Sequence, residues 1–457
     1  MKKSHRVAWS LTLLLIALLA TPVFQAHDEW DGIPLIRTRG RGLRFRPPSV
    51  PSDSESSRDF RASAHHLNPA LRNDLPRSQL LQSLANAVNS NGMISDLNAI
   101  STVIPTRYFS SAGMKTATQY VLSRFVGVGL DDAYFDTFSE GGSSLRNVVG
   151  IKRGSQYPGR IYIICGHLDS TSNRFETEAP GAEDNGSGSV GVVEAARLLA
   201  PLQTQSTIYF ICLTAEEVGD WGAEHIAQRA DQEKWDLRGV LNMDMIGYDE
   251  AGTPQLWVEG FPKDPGSVAL MDRLTSAARM YTDLSVYRCP EDGWGSDHVT
   301  FHEHGYPAVL AIDYDWDHYT CYHRTCDTVS NIVTSQLRKM TATVTVATAQ
   351  LAGLQTALGS IAGIADRIDS PKDAGIRIEL IGTGYAPVSS STKGAFSIRN
   401  LLPGRYQLQA TATGYRTAMK KVTIVAGHTT RITISLTRKS ASGSNERSRG
   451  SEELPND

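Results

Sequence analysis

The hydrophobic pattern along the middle of the chain alternates between short β-branched runs and longer stretches with helical spacing. Apolar residues at Ala117, Val121 and Phe125 predict an amphipathic helix. Further helices are predicted over 188–200, 221–232, 266–281 and about 335–357. The strands predicted around them are Asn147–Ile151, Ile161–Cys165, Thr207–Leu213, Gly239–Asn242, Gln255–Val258 and Ala308–Ile312. This alternation favours an α/β fold with a mixed, largely parallel sheet and helices on both faces.

From about residue 362 the pattern changes to short alternating strands separated by turn signals such as Pro403-Gly404 and Thr413-Gly414. The strands predicted there are Ile376–Ile381, Ala395–Ile398, Tyr406–Thr411, Val422–Ile424 and Thr430–Leu436. We therefore predict a main domain over 76–360 and a small all-β sandwich over 362–438. The remaining residues, 439–457, are rich in Ser, Glu and Gly and are predicted to be disordered.

The first 26 residues have the pattern of a secretory signal peptide. Basic residues precede an apolar stretch from Val7 to Ala20, and small residues follow as far as Ala26. A membrane anchor is the alternative, but fourteen apolar residues are short for a membrane span. We expect a periplasmic or secreted product with no stable membrane span after the signal is removed.

The segment 27–75 contains a cluster of five arginines over 37–46, a Pro47-Pro48 pair and a Ser-rich run, without apolar periodicity. Such a segment does not pack alone, which favours a flexible linker or a removable prosegment. A basic arm that binds nucleic acid is the alternative for this segment.

The composition of the whole chain is that of a globular protein and not of a fibrous or disordered one. It has 457 residues, of which 40% are hydrophobic and 20% charged, so two or three domains are expected. The formal net charge of −3 does not indicate a protein that binds nucleic acid through an excess of basic residues. Five cysteines are too few for a disulfide scaffold.

Side chains that can bind metal follow the predicted strands at the points where those strands end. Because the carboxyl ends of parallel strands meet at one edge of a sheet, these side chains are expected to converge. Imidazole nitrogen and carboxylate oxygen are a ligand set that suits zinc. The candidates are His167, Asp169, Asp184, Glu216, Glu217, Asp244, His318 and His323.

Each of these residues also has an interpretation without metal. Adjacent glutamates usually face solvent, a His-x-Asp pair is often structural, and Asp184-Asn185-Gly186 forms a good turn in any protein. Their joint placement at successive strand ends favours a metal site. Within it, Asp169 is placed to hydrogen-bond the free nitrogen of a metal-bound His167. The adjacent Glu216 and Glu217 point apart in an extended chain, so one can bind metal while the other faces the water.

Several segments together resemble the secreted bacterial leucyl aminopeptidases, which carry two co-catalytic zinc ions. The likeness covers roughly residues 80–358, and it depends on the order and spacing of the pieces. The segments are Gly-His-Leu-Asp-Ser-Thr (166–171), Ala-Pro-Gly-Ala-Glu-Asp-Asn-Gly-Ser-Gly (179–188), Ala-Glu-Glu-Val-Gly (215–219), Asn-Met-Asp-Met-Ile-Gly (242–247), Ser-Asp-His (296–298), and His323 with Asp327-Thr328.

The resemblance implies a role for each matching residue. His167 and Asp244 bind one zinc ion, Glu217 and His323 bind the other, and Asp184 bridges them. Glu216 is the general base, and Asp169 orients His167. His318 competes with His323, which is preferred because Asp327-Thr328 follows it at the family's spacing. Ser296, Asp297 and His298 resemble a segment that lines the substrate side.

The cysteine pairing remains open at this stage. Cys321 and Cys326 flank His323 and could form a short disulfide that stiffens its loop. A pairing of Cys289 with either loop cysteine is the alternative. The family's better-known members carry a cysteine pair just before Ser-Asp-His, whereas here only Cys289 is near. That bridge is therefore not carried over.

The C-terminal sandwich resembles the regulatory-like domains attached to some carboxypeptidases. Lys393-Gly394-Ala395-Phe396 and Leu402-Pro403-Gly404-Arg405-Tyr406 carry this likeness. The sandwich offers no cluster of His, Asp and Glu, so a packing, anchoring or surface-binding role is expected.

The resemblance implies hydrolysis of the first peptide bond of peptides or proteins with a free N-terminal residue, and it implies a preference for a hydrophobic residue there. Two zinc ions per chain are expected, and no nucleic-acid partner. One alternative is a glutaminyl cyclase of the same fold, which works with one zinc. Another is a non-catalytic binding ectodomain, although here all five candidate ligands and the base are present. The pattern does not indicate an oligomeric state.

Overall fold

The computed structural model of the protein describes residues 78–293 and 295–439. The signal peptide predicted over 1–26, the linker or prosegment predicted over 27–75, and the predicted tail from 440 onward lie outside these residues. The domain boundaries therefore stay a prediction.

An eight-stranded mixed sheet forms the centre of the region 78–358, in the order β1-β2-β5-β3-β6-β9-β7-β8. The four central strands, β5, β3, β6 and β9, run parallel, while β1 and β2 form an antiparallel pair at one edge. The strands are β1 (Asp132–Glu140), β2 (Ser143–Lys152), β3 (Tyr157–His167), β5 (Ser206–Leu213), β6 (Asp236–Met243), β7 (Gln255–Glu259), β8 (Ser285–Arg288) and β9 (Ala308–Ile312), with a short β4 (Gln203–Thr204) outside the sheet.

Helices cover both faces of this sheet, as the alternation of side chains along β3 requires. Ile164 belongs to one apolar core, whereas Ile163 and Cys165 belong to the other. The helices are α1 (Gln79–Asn86), α2 (Ser90–Ser101), α3 (Ala112–Val128), α4 (Gly188–Leu199), α5 (Trp221–Glu233), α6 (Pro265–Ala277), α7 (His298–Glu303) and α8 (Thr334–Leu351). Helices α5 and α7 contribute to the second core, and α3, α4, α6 and α8 to the first.

Local signals explain where two of these helices begin. The hydroxyl of Ser111 accepts a hydrogen bond from the amide of Met114 at the start of α3, and Gly129 ends that helix with a left-handed backbone. At α6, Asp264 accepts hydrogen bonds from the amides of Gly266 and Ser267, and Pro265 occupies the first helical position.

The C-terminal region folds as two small sheets, in the orders β14-β11-β17 and β13-β12-β15-β16. Its strands are β11 (Gly359–Arg367), β12 (Arg377–Leu380), β13 (Val388–Ser389), β14 (Ala395–Leu401), β15 (Gly404–Thr411), β16 (Ala418–Ile424) and β17 (Thr429–Leu436), after a short β10 (Leu354–Gln355) that pairs with β4. This confirms the predicted all-β region.

The sandwich and α1 share one apolar core and several hydrogen bonds. Leu84 of α1 and Leu401 of β14 are both fully buried in that core. The hydroxyl of Tyr385 donates to the carbonyl of Ser83 at 2.8 Å and accepts from the amide of Leu402 at 3.0 Å. The hydroxyl of Ser83 in turn donates to the carbonyl of Asn400. The sandwich therefore covers part of the core of the main fold.

The α/β prediction is confirmed, and each predicted strand and helix has a counterpart. The sequence pattern missed α1, α2, α7, β1, β8, the first sandwich strand β11 and the two-residue strands β4, β10 and β13. Among the described residues, no helix is both long enough and apolar enough to cross a bilayer.

Candidate metal centre

The carboxyl ends of β3, β5 and β6 bring their polar residues to one edge of the sheet. His167 is the last residue of β3, Glu216 and Glu217 follow β5, and Asp244 follows β6. Nε2 of His167 lies 3.4 Å from Oδ1 of Asp244 and 3.8 Å from Oε2 of Glu216. The convergence expected from strand order is thus present in the fold.

Asp184 reaches this edge from the turn 182–187 that precedes α4. Its Oδ1 lies 3.3 Å from Nε2 of His167, and its Oδ2 lies 3.1 Å from Nε2 of His323. Nε2 of His323 is also 3.0 Å from Oε2 of Glu217. One carboxylate therefore faces two histidines, each from a different oxygen.

Asp327 holds the turn that carries Asp184. Its carboxylate accepts hydrogen bonds from the backbone amides of Glu183 at 2.8 Å and of Asp184 at 3.0 Å. The hydroxyl of Tyr319 donates to the same carboxylate at 2.7 Å. The Asp327-Thr328 pair that marks the sequence motif thus has a physical role in placing Asp184.

Of the two candidate histidines in the loop after β9, the structure brings only His323 to the cluster. His318 instead lies 2.7 Å from Glu250 through its Nδ1 and is exposed. His323 has a positive φ of 53° and lies inside a disulfide between Cys321 and Cys326. Cys289 is a buried free cysteine, so the alternative pairing is wrong.

Asp169 contacts His167 through both its backbone carbonyl and its side chain. The Nδ1 of His167 lies 3.1 Å from the backbone carbonyl oxygen of Asp169, closer than the 3.6 Å to its carboxylate. The carboxylate accepts hydrogen bonds from the backbone amides of Glu216 at 3.2 Å and Glu217 at 3.3 Å. Asp169 therefore orients the glutamate turn as well as the imidazole.

Ser296, Asp297 and His298 do not line an open surface, which corrects the expectation that they contact substrate. Their exposed fractions are 2%, 0% and 0%. The hydroxyl of Ser296 donates to Oδ2 of Asp244 at 2.7 Å and accepts from the side-chain amide of Asn242 at 2.8 Å. Ser296 thus holds Asp244 from behind.

The residues at this edge fit a bound metal. Among the described residues, three buried oxygens of the candidate ligands have no hydrogen-bond partner: Oδ2 of Asp184, Oε1 of Glu217 and Oδ1 of Asp244. Buried carboxylate oxygens left without a partner are energetically costly, and a cation would satisfy them. The ligand groups His167–Glu216–Asp244 and His167–Asp184–Glu217 each place three candidate atoms within 4.8 Å of one another.

The electrostatics of the cluster point the same way. Burial raises the pKa of Glu217 to about 7, and the neighbouring charge of Asp184 adds to this shift. Burial also raises the pKa of Glu216 well above its usual range. For His323, burial lowers the pKa, but Asp184 and Glu217 outweigh it and raise the value to about 10. Several carboxylates thus share a buried space in which positive charge is needed.

Arg107 is the main feature of the site that the sequence pattern missed. It is fully buried and donates hydrogen bonds to the backbone of the loops that carry the candidate ligands. A lone arginine in the loop 102–111 gives no signal in the sequence, because only the fold brings distant carbonyl groups around it.

Comparisons with known proteins agree with this geometry. Residues 147–348 match the family model described as Peptidase family M28, and residues 372–437 match the one described as Carboxypeptidase regulatory-like domain. The chain is thus similar to this peptidase family over its central region and to the regulatory-like domain over its C-terminal region.

Two relatives illustrate the sequence likeness. A probable zinc metalloprotease of Pyrenophora tritici-repentis is 30% identical over 212 residues, which are 40% of this chain and 49% of the relative. Leucine aminopeptidase 1 of Paracoccidioides brasiliensis is 28% identical over 271 residues, 54% of this chain and 66% of the relative. The chain thus spans less than two thirds of either relative. Both are fungal, so the likeness to the secreted bacterial leucyl aminopeptidases in particular stays a prediction.

Two solved bacterial structures share the fold. LapA aminopeptidase of Legionella pneumophila has a TM-score of 0.55 at 23% identity, covering 61% of this chain and 75% of that one. BSAP, a zinc aminopeptidase of Bacillus subtilis, has a TM-score of 0.52 at 18% identity, covering 59% and 96%.

The position of the disulfide leads to a prediction about zinc binding. Replacing Cys321 and Cys326 together by Ser should weaken zinc binding, because the loop that holds His323 loses its crosslink. We expect a change within the range of about 10–100-fold that follows loss of groups supporting a metal ligand. Competition with a chelator measures it, with Cys289→Ala as the control that keeps the crosslink. Unchanged zinc affinity in the double variant would contradict the prediction.

Proposed function

We propose, on the premise that residues 147–348 form a zinc peptidase domain of family M28, that this protein is an aminopeptidase with two zinc ions. Its substrates would be peptides or proteins with a free, hydrophobic N-terminal residue. His167 and Asp244 would hold one ion, Glu217 and His323 the other, and Asp184 would lie between them.

The observation that carries this proposal is the placement of Asp184. One of its oxygens faces His167 and the other faces His323, at 3.3 and 3.1 Å. A carboxylate that presents one oxygen to each of two ligand sets suits a pair of ions a few ångströms apart, as in other two-metal hydrolases. A single-ion site would leave one of these histidines without a metal partner.

Glu216 is the residue best placed to move protons. When bound, zinc would polarise the scissile carbonyl group and lower the pKa of the attacking water. The side chain of Glu216 is 14% exposed, whereas that of Glu217 is 3% exposed. Glu216 also lies farther from His167, at 3.8 Å, than Glu217 lies from His323, at 3.0 Å. Glu216 can therefore accept the proton of the water and pass it to the leaving nitrogen, while Glu217 serves as a ligand.

An aromatic cluster beside the ligands supports a preference for hydrophobic residues. Tyr322 stacks on His323 with ring centroids 3.8 Å apart, and Tyr248 packs against Tyr319 at 4.8 Å. These rings adjoin an apolar core that includes Met245, the residue after Asp244. Partly buried aromatic side chains next to a reaction centre are suited to bind an apolar substrate side chain.

The proposal is tested by counting zinc and comparing two substrates. Elemental analysis should give two zinc ions per chain, chelation should abolish turnover of a leucyl arylamide, and added zinc should restore it. A single tightly bound zinc in fully active protein that cyclises a glutaminyl peptide would overturn the proposal in favour of a glutaminyl cyclase.

Export is a separate part of the proposal, and it depends only on the N-terminal segment. N-terminal sequencing of the protein isolated from its native host should find a start close to residue 27 or at a later position. Recovery of the intact N-terminus from the cytosol would contradict it.

A further inference from the structure

Arg107 is a buried cation that binds carbonyl groups rather than an acidic partner. Within the described residues it forms no ion pair, and its side chain is fully buried. Its guanidinium donates five hydrogen bonds. The acceptors are the carbonyls of Leu168 (2.7 Å), Ile100 (3.0 Å), Pro180 (2.6 Å) and Gly181 (2.7 Å), and the hydroxyl of Ser101 (3.1 Å).

These acceptors belong to three separate segments that meet behind the metal centre. Leu168 lies between His167 and Asp169, on the loop that leaves β3. Gly181 lies three residues before Asp184, at the start of its turn. The third segment is the end of α2. One planar side chain thus sets the spacing between the two loops that carry the candidate ligands.

The backbone around Arg107 is built for this close approach. The amide of Arg107 donates to the hydroxyl of Ser170, and its carbonyl accepts from the amide of Ser170, both at 3.3 Å. Gly181 has a positive φ of 51°, and a Cβ placed there would lie 2.4 Å from Cβ of Ser170 and 3.1 Å from Nη2 of Arg107. Only glycine allows the Gly181 carbonyl to reach the guanidinium in this way.

The charge of Arg107 is retained in this setting. Burial lowers its pKa to about 10, while the charges of Asp327, Asp169, Asp184 and Glu217 oppose that shift. The side chain therefore stays protonated near neutral pH, with all its donors available. The Arg107 side chain lies behind the loops that carry the candidate ligands, and the ligand carboxylates lie on the other side of these loops.

We propose that Arg107 is a positioning residue for the metal centre, and that its fork of donors fixes His167, Asp169 and Asp184 at the separation that two ions require. This inference rests on the proposed function, because it concerns the same ions. The geometry of the fork, rather than the charge alone, carries the effect. A lysine has a single ammonium group and cannot span carbonyls on three segments.

The test compares Arg107→Met and Arg107→Lys with the unchanged protein. Zinc affinity is measured by competition with a chelator, and the melting temperature is measured in the metal-free state. Both variants should bind zinc about 10–100-fold more weakly, the range seen when groups that orient metal ligands are removed. At subsaturating zinc, kcat for a leucyl arylamide should fall while KM changes little.

Arg197→Met is the matched control. Arg197 is also an arginine with buried partners: it donates to Glu194 and to the carbonyl of Ala87, neither of which belongs to a loop that carries a candidate ligand. Its replacement should lower the melting temperature and leave zinc affinity unchanged. If the Arg107 variants likewise melt earlier but bind zinc normally, Arg107 is a structural residue and the inference is wrong.

Two further outcomes are decisive. Normal zinc affinity in Arg107→Lys would show that charge suffices, and the fork would then have no special role. If Arg107→Met does not fold, the zinc affinity of Arg107→Lys alone tests the inference, because this variant keeps the charge and most of the volume of the side chain. Because zinc affinity is the main readout, weak zinc binding in these variants would support the inference even if the unchanged protein failed to cleave the arylamide.

Discussion

Replacing Glu216 by Gln should lower kcat by at least about 10²–10⁴-fold, the usual contribution of general acid–base catalysis, while the zinc content stays the same. The change keeps the size of the side chain and removes its negative charge, and with it the ability to accept a proton. The backbone amide of Glu216 still has Asp169 as its acceptor, so the turn should keep its shape. Steady-state rates and elemental analysis of the same preparation measure both quantities.

Glu217→Gln is the control that separates the two glutamates. Glu217 faces His323 at 3.0 Å and has an oxygen without a hydrogen-bond partner, so its loss should lower the occupancy of one ion. Excess zinc should then restore part of the rate. Because Glu216 also belongs to a ligand group with His167 and Asp244, the metal content of both variants is measured. Loss of metal in Glu216→Gln, with only the rate affected in Glu217→Gln, would exchange the two roles.

A chain that ends at Leu358 should fail to fold cooperatively, because the sandwich covers the core around α1. Burial of each large apolar side chain contributes about 1.5–3 kcal/mol, and the net stability of a domain is only about 5–15 kcal/mol. Exposing Leu84 and its neighbours, and removing the partners of Ser83, would therefore cancel most of the net stability. Thermal melting followed by circular dichroism measures the loss.

A chain that ends at Lys439 is the matched control for this truncation, since it keeps all the sandwich strands. It should melt like the full chain. If the chain ending at Leu358 melts at the same temperature as this control, the two regions are independent domains and the sandwich has another role.

The central sheet could be predicted because its strands are buried on both faces and read as continuous apolar runs. Strand β1 escaped detection for the opposite reason: it is an edge strand, and much of its surface is exposed. Helices α1 and α2 are short, and part of the apolar side of α1 is covered by the sandwich, a partner more than 300 residues away along the chain. Local periodicity carries no information about such a partner.

The candidate ligands could be predicted because His167, Glu217 and Asp244 lie at or directly after strand ends, and Asp184 lies in a clear turn signal before a helix. The groups that hold these ligands in place could not be predicted from the sequence. Arg107 acts through backbone carbonyls, which every residue has, so nothing in the sequence marks its acceptors. Ser296 was expected to meet substrate because its motif stood out, whereas its burial behind Asp244 is a property of the fold.

The contact between α1 and the sandwich also determines when their shared core can form during synthesis. Ser83 and its partner Asn400 are separated by 317 residues. At about 5–20 residues per second, a ribosome needs roughly 16–60 s to make the intervening chain. Throughout that interval the part of α1 that the sandwich covers has no native partner, while α8, which also packs against α1, is made before the sandwich. The last strands of the sandwich therefore complete a core that α1 and α8 begin.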